Sequence, residues 1–568
     1  MSTLTKHTIP ELLRYSFSNY SNNKGFSFVD DPQNTYADLQ KNLNRAANLL
    51  NQLNIQQGDK VAILAVNSPQ WVATYMAIGA LGATVVPILP DFANREVAHI
   101  LAHSAAKAVF VSENLVGKLP ADLAIQRIGI EDQSLLGDNQ PSIAHSDDDF
   151  SYADVDEDDL LAIIYTSGTT GTSKGVMLSH KNIIYNVKQC LQMQTVEQSD
   201  RFLSILPLSH AFENTLGMIV PFYCGSSVYY LDRLPTPGVL LPAMAKIKPT
   251  MLLLVPLVIE KIYKGKILKS INSKKITRTL YRWRFFQKIL NYIAGKKLYK
   301  AFGGELTFFG IGGAKLDATV EQFLLDCGFP YSIGYGMTET SPVMAGAFGK
   351  NRKVGHAGVT VEGVTLRLAK ENPDDEIGEI QVKGPNIMQG YYKAPQLTAE
   401  VFTEDGWLRT GDLGAFDNNG MLSIRGRIKT MILGASGENI YPEEIESVIN
   451  QMDLVQESLV TEKAGTLVAM VHLNMEELEA RAKQLQENIV SLKDDAIQHT
   501  DEAKKYLEEK AEKTLKDLRL RVNKELSKFS QIRQMVLQDE PFEKTPTHKI
   551  KRFLYNLNKP SDNDASKT

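Results

Sequence analysis

The chain has 568 residues, 43% of them hydrophobic and 23% charged, with a net charge of −4. That length and balance imply a globular protein with more than one core, and exclude a disordered or fibrous chain. So small a net charge gives no bulk electrostatic case for nucleic acid, and Cys190, Cys224 and Cys327 lie too far apart for a disulfide framework or a metal-type spacing, which fits a reducing cytoplasm.

From the start, residues 1–10 lack the apolar core of a signal peptide. Helical periodicity over Tyr36–Leu53 and Asn94–Ser104 alternates with apolar runs at Lys60–Val66, Ala83–Ile88 and Ala108–Ser112. The alternation predicts α/β layers around a mostly parallel sheet. Val61–Pro90 carries no charged residue and exceeds the roughly 20 residues that span a bilayer. Polar residues at 67–70 interrupt it, and Pro87 and Pro90 end it, so the prediction is strand, turn, buried helix and strand. Eight acidic residues crowd the thirteen positions of Asp147–Asp159, which reads as a solvated connector. It leads into Leu160–Tyr165, a buried-strand run.

Tyr165-Thr166-Ser167-Gly168-Thr169-Thr170-Gly171-Thr172-Ser173-Lys174-Gly175 follows that strand. Its three glycines let backbone N–H groups approach an anion, and its hydroxyls and one ammonium suit phosphate oxygens. It does not fit the Walker A pattern, and a Gly/Thr-rich surface turn is the plainer alternative. Ser179 is placed to cap the next helix.

Residues 261–300 hold thirteen Lys or Arg and no Asp or Glu, interleaved with Tyr281, Trp283, Phe285, Phe286, Ile289, Leu290 and Tyr292. Such a segment fits either an anionic membrane surface or a basic cover over a substrate tunnel. Strand-and-turn punctuation fills Gly310–Arg427. Beyond Asn474, Leu485, Ile489, Leu492 and Ala496 share one helical face, and Leu507, Ala511, Leu515, Leu518, Val522 and Leu526 share another. Two amphipathic helices broken near Asp501 are predicted, as a helical insertion at about 474–528 with a solvated outer face. The polar tail 558–568 is expected to be disordered.

Further motifs stand in order: Leu206-Pro207-Leu208-Ser209-His210-Ala211-Phe212-Glu213, Gly312-Gly313-Ala314, Tyr335-Gly336-Met337-Thr338-Glu339-Thr340, Gly406-Trp407-Leu408-Arg409-Thr410-Gly411-Asp412, Arg425-Gly426-Arg427-Ile428-Lys429 and Lys544-Thr545-Pro546-Thr547-His548-Lys549-Ile550-Lys551. With the Thr/Gly loop, they resemble the adenylate-forming superfamily of acyl-CoA synthetases, peptide-synthetase adenylation domains and beetle luciferases. The resemblance runs from Thr35 to Arg552. The His-Ala-Phe-Glu stretch and the C-terminal motif look most like the long-chain fatty acyl-CoA synthetases. His548 stands where many relatives have Gly, and Thr430 where many have Asp.

The resemblance implies a large N-terminal α/β region with mixed sheets, 1–428, and a smaller mobile C-terminal α/β domain, 429–557, with Lys429 as hinge. It implies that Thr166, Ser167, Gly168, Thr169, Thr170, Gly171 and Lys174 hold the ATP phosphates, and that Glu339, with Thr166, binds Mg²⁺. Tyr335 would stack on adenine beside Gly312, Gly313 and Ala314, with Gly336, Met337 and Thr338 completing that wall. Asp412 would bind the ribose hydroxyls, reinforced by Arg427. His210 would lie by the acyl carboxylate, with Glu213 a weaker candidate. Trp407 would only pack the sheet. Gly437, in the loop Gly434-Ala435-Ser436-Gly437, would face the CoA channel. Lys549 would supply the positive charge of the first half-reaction. The implied activity is ATP-dependent activation of a fatty acid to an acyl-adenylate, then thioester formation with CoA. An acyl–acyl carrier protein synthetase, a ligase for another acid, and a catalytically inactive lipid-binding or scaffold protein are the rivals; intact Lys174, Glu339, Asp412, Arg427 and Lys549 speak against the last.

Overall fold

Strands Lys60–Leu64, Thr84–Ile88 and Ala108–Val111 alternate with helices Tyr36–Gln52, Pro69–Ala80 and Asn94–Ser104. The computed structural model describes residues 4–121, 124–137, 146–167, 173–433, 439–463, 465–480, 500–545, 549–555 and 557. Thr35 opens the first of these helices with a capping box to Asp38, and Ser68 caps the second, whose first-turn Pro69 suits a helix start. The uncharged stretch resolves as predicted. Pro69–Ala80 is buried on nearly every side, with Trp71 stacked on Tyr75 at 5.4 Å. Among the described residues no helix is long and apolar enough to cross a membrane.

The chain divides into two compact units. The first comprises Met1–Ala369, Ile380–Thr410 and Phe416–Ser423; the second comprises Lys370–Glu379, Gly411–Ala415 and Ile424–Thr568. In the first, a seven-stranded sheet runs Gly390–Tyr391, Ser173–Ser179, Leu160–Ser167, Thr84–Ile88, Lys60–Leu64, Ala108–Val111, Gln126–Gly129. It is parallel from Leu160–Ser167 onward and antiparallel at the other edge. An eight-stranded sheet runs Phe26–Phe28, Ser227–Tyr230, Arg201–Ser204, Met251–Leu254, Phe308–Ile311, Tyr331–Gly336, Val343–Ala347, Val359–Thr360. Its parallel strands turn antiparallel after Tyr331–Gly336. The mixed α/β architecture expected from the sequence is thus the observed one.

The acidic run is solvated as expected: Asp147, Asp148, Asp149, Asp154, Asp156 and Asp158 are exposed. Surface ion pairs join Arg45 to Asp147 at 2.8 Å and Lys6 to Asp154 at 3.3 Å, and His7 Nδ1 lies 2.6 Å from Glu157.

In the second unit, strands Val455–Lys463, Thr466–Leu473 and Gln534–Leu537 form a sheet packed by helices Pro442–Asn450 and Thr500–Glu525. The predicted apolar face of the long helix is inward: Ala511, Leu515, Leu518 and Val522 are buried with Ile445, Ile449 and Val471. The other predicted face, at Leu485, Ile489, Leu492 and Ala496, and the tail 558–568 lie outside the described residues.

Candidate active site

Strands Leu160–Ser167 and Ser173–Ser179 form an antiparallel pair, with Thr166 opposite Lys174 and both partly exposed. Ser179 caps helix His180–Met193 by accepting the Asn182 N–H. Gly168, Thr169, Thr170, Gly171 and the side chain of Ser167 lie outside the described residues. The edge strand Gly390–Tyr391 pairs with the second arm, Tyr391 opposite Val176. Lys174 Nζ thereby sits 5.0 Å from the Tyr391 ring centroid, within cation–π range. The same tyrosine donates its hydroxyl to Glu339 Oε1 at 2.8 Å. Burial and the adjacent carboxylate raise the Tyr391 phenol, so it remains a donor.

Glu339 lies in the single turn Thr338–Thr340 and is 8% exposed. Its peptide oxygen accepts the Met388 N–H at 3.0 Å, and the next carbonyl, of Thr340, accepts Asn386 Nδ2 at 2.7 Å. Thr338 is buried, and Met337 packs half-buried against the main core. The strand before this turn carries Tyr335, partly buried opposite Ala345. A Cβ at Gly336 would fall 1.7 Å from the Pro342 carbonyl oxygen, so no other residue fits there.

Gly312 follows strand Phe308–Ile311, and a Cβ there would approach the Phe212 ring at 3.1 Å. The turn Gly312–Gly313–Ala314, exposed at Gly313 and Ala314, thus abuts the stretch that carries His210 and Glu213. His210 is partly exposed, and its Nδ1 accepts the Phe212 N–H at 3.2 Å. The neutral ring therefore carries its proton on Nε2. Glu213 opens the π-helical segment Glu213–Ile219 and is 1% exposed. Ser204 donates to its Oε1 at 2.6 Å, while Oε2 has no partner among the described residues. Burial pushes this carboxyl up to about 8, so Glu213 is protonated at neutral pH. The missing side chain at Gly217 leaves it room: a Cβ there would lie 2.5 Å from Oε1.

The second unit carries the other candidates. Asp412 is 6% exposed, and its Oδ1 lies 2.9 Å from Arg427 Nε. Lys429 is exposed in the turn Ile428–Thr430. The Thr430 hydroxyl donates to Glu443 Oε1 at 2.7 Å, so this residue reaches a carboxylate instead of supplying one. Lys549 is exposed and is bonded to Thr545, through Thr545 N–H to the Lys549 carbonyl, 2.8 Å, and Lys549 N–H to Thr545 Oγ1, 3.2 Å. Gly437 and residues 546–548 lie outside the described residues. Arg552, just beyond, pairs with buried Glu446, and its Nη2 lies 3.7 Å from Glu443. In the first unit, Trp407 is half-buried under the Arg367 guanidinium at 4.4 Å.

Two contributors escaped the sequence reading. Tyr391 has no local signature. Asn67 was taken as an interruption of an apolar stretch. It pins the strand-to-His210 loop, accepting the Leu208 N–H at 2.8 Å and donating to the Leu206 carbonyl at 2.6 Å. A polar residue just before a buried helix was the available signal.

The layered sheets are those of an α/β enzyme, and Lys174, Tyr391 and Glu339 meet at the paired strands Leu160–Ser167 and Ser173–Ser179. ATP-bound MatB from Rhodopseudomonas palustris shares the fold, with a TM-score of 0.75 and 24% identity over 97% of this chain and 98% of that one. The AMP-binding enzyme profile matches residues 18–392, and the chain belongs to that family, as an adenylate-forming acid–thiol ligase. Among curated relatives, a long-chain-fatty-acid–CoA ligase, FadD15, of Mycobacterium bovis is 30% identical over 478 residues, 78% of each chain. A feruloyl-CoA synthase of Amycolatopsis is 32% identical over 420 residues, 73% of this chain and 77% of that one.

Proposed function

We propose that the protein is a Mg²⁺-dependent long-chain fatty acid–CoA ligase. The observation that carries the reading is the Lys174–Tyr391–Glu339 arrangement, which sets a cation at a hydroxyl-rich hairpin and a held carboxylate beside it. The fatty carboxylate attacks the α-phosphorus of ATP, and pyrophosphate leaves. The centre is ringed with negative oxygens, so the protein's task is positioning and positive charge. Thr166 and Lys174 take phosphate oxygens. Glu339, a buried carboxylate whose Oε1 accepts the Tyr391 hydroxyl, is an oxygen ligand of the kind a hard cation shared with phosphates prefers. Bound there, Mg²⁺ would neutralise charge on the departing pyrophosphate. Tyr335 with Gly312–Ala314 walls the adenine, and Asp412 with Arg427 takes the ribose. Lys549 supplies the remaining charge for this half. The CoA thiolate then attacks the mixed anhydride, and AMP leaves.

Long-chain acid is favoured by the His210–Glu213 stretch and the C-terminal motif; the aromatic-acid relative makes feruloyl-type acids the rival. Exchange of labelled pyrophosphate into ATP, run with acids from acetate to stearate and with ferulate, decides between them. Exchange is expected only with Mg²⁺, greatest with long-chain acids, and without CoA. Preference for ferulate would overturn the chain-length reading, and no exchange with any acid would overturn the ligase. Offering CoA and acyl carrier protein separately then identifies the acceptor.

A further inference from the structure

We propose that the outward face of residues 275–301 docks on the surface of an anionic lipid bilayer. This goes beyond the ligase reading and does not depend on it. The segment folds as helices Lys275–Leu280 and Arg284–Ala301. One face of the longer helix is fixed to the first unit. Asn291, Gly295 and Leu298 are buried, and Gly295 packs so closely that a Cβ there would fall 2.3 Å from that of Cys327. Arg284 closes the contact with a two-pronged pair to Asp326, both bonds 2.8 Å, and Asn291 Nδ2 donates to the same carboxylate at 2.9 Å.

With the inner face so held, the side chains that remain point away. Trp283 is 68% exposed and Phe285 71%, and Phe286, Ile289, Tyr292 and Ile293 are exposed beside them. Phe285, Ile289 and Ile293 follow one another at four-residue intervals along a single stripe. A water-facing helix places polar residues on such a stripe, and large apolar patches on a protein surface mark contact sites. The flanks are cationic: Arg282, Lys288, Lys296, Lys297 and Lys300 are all exposed. Within residues 261–300 no acidic residue offsets them.

An apolar ridge between cations, with an amphipathic aromatic at its start, matches the headgroup–acyl boundary of an anionic leaflet. The isoleucines have no use against a nucleic-acid backbone, and the absence of acids disfavours a basic partner. Each well-placed cation strengthens partition to such a surface roughly fivefold. For an enzyme that takes a long-chain acid, the surface would put it where that substrate dissolves.

Co-sedimentation of the full-length protein with vesicles of phosphatidylcholine alone, or containing 30% (about one third) phosphatidylserine, tests this. Binding at ~0.1 M salt is expected to be at least about tenfold stronger with the anionic vesicles and to vanish near 1 M salt. Of the three tryptophans, Trp71 is fully buried and Trp407 half-buried under Arg367, so a blue shift in emission on binding would report Trp283. Phe285→Ser with Ile289→Ser, both at exposed positions, should cut binding about tenfold or more, since each removes roughly a buried side chain's worth of apolar contact. The pyrophosphate exchange of this double variant should stay unchanged with a water-soluble acid. No binding to anionic vesicles, or binding that the double variant retains, overturns the proposal. So does a lipid-free dimer that the same double variant abolishes, which would assign the face to a second copy of the chain.

Discussion

Glu339 and Lys549 carry opposite charges and are held in opposite ways. Glu339 is almost enclosed: a tyrosine hydroxyl takes one carboxylate oxygen, the peptide on its own residue accepts Met388, and its neighbour Thr340 is buried. Lys549 stands exposed, held by backbone and threonine bonds to Thr545. The anion is thus part of a packed core that fixes its position, whereas the cation stands at the surface. A carboxylate that must share an ion with a bound nucleotide gains from the first arrangement. A lysine that serves only one of two half-reactions, as proposed for Lys549, would gain from the second.

The sharpest test of that contrast separates the half-reactions. Lys549→Ala is expected to lower adenylation about a hundredfold to a thousandfold, the usual cost of a positioned charge at such a centre, while CoA attack on preformed acyl-adenylate stays within a few-fold. Glu339→Gln should lose as much exchange activity without recovery at high Mg²⁺. Equal losses in both halves for Lys549→Ala would erase the distinction. Lys429→Pro, which fixes φ near −65°, should do the reverse, sparing adenylation and impairing thioester formation; equal effects on both would remove Lys429 as the hinge.

Next in size is the support behind the Lys549 segment. Removing Arg552 leaves Glu446 buried beside a lost partner, and Arg552→Ala should cost about 3 kcal/mol in urea denaturation, the low end for a broken buried pair because the guanidinium is partly solvated. No loss would mean that the segment is held elsewhere.

Glu213 sharpens the other side of the comparison, because burial alone does not make a functional anion. Its carboxyl is raised to about 8, above the unfolded value near 4.5. A raised value means that its contribution to stability is complete below that unfolded value and is lost as pH climbs through 8. The loss approaches about 1.4 kcal/mol per pH unit between the two. Glu213→Gln should therefore flatten the decline of unfolding free energy from pH 5 to pH 9, and parallel profiles for the two proteins would contradict the protonated state. The smallest effect is expected from Tyr391→Phe. It removes one hydrogen bond to a charged group, about 1.5 kcal/mol or roughly tenfold in the Mg²⁺ requirement, and leaves the fold intact.

Much of this architecture was legible because its signals are local. Capping residues such as Thr35, Ser68 and Ser179 act within a few positions, and the strand–helix alternation of the first hundred residues is carried by periodicity. The motif order was enough to assign the family. What stayed hidden depends on partners far along the chain. Tyr391 reaches Glu339 only because its strand pairs with residues more than two hundred positions earlier, and Gly336 is required by a carbonyl across a bend. The acidic run reads as solvated and is so, but its surface pairs with Arg45, Lys6 and His7 were not legible because those residues are a hundred or more positions away. The protonation of Glu213 is likewise a property of its enclosure and cannot be inferred from the letters around it.

Glu443 touches two places at once, the Thr430 hydroxyl after the hinge candidate and the Arg552 guanidinium after Lys549. In mechanical language it is a tie bar. Thr430 and Arg552 share a common anchor on helix Pro442–Asn450. Were Lys429 the hinge, that shared anchor would carry Arg552 along with Thr430, so stiffness, and not reach, would set how faithfully a small twist at one end becomes a placement at the other.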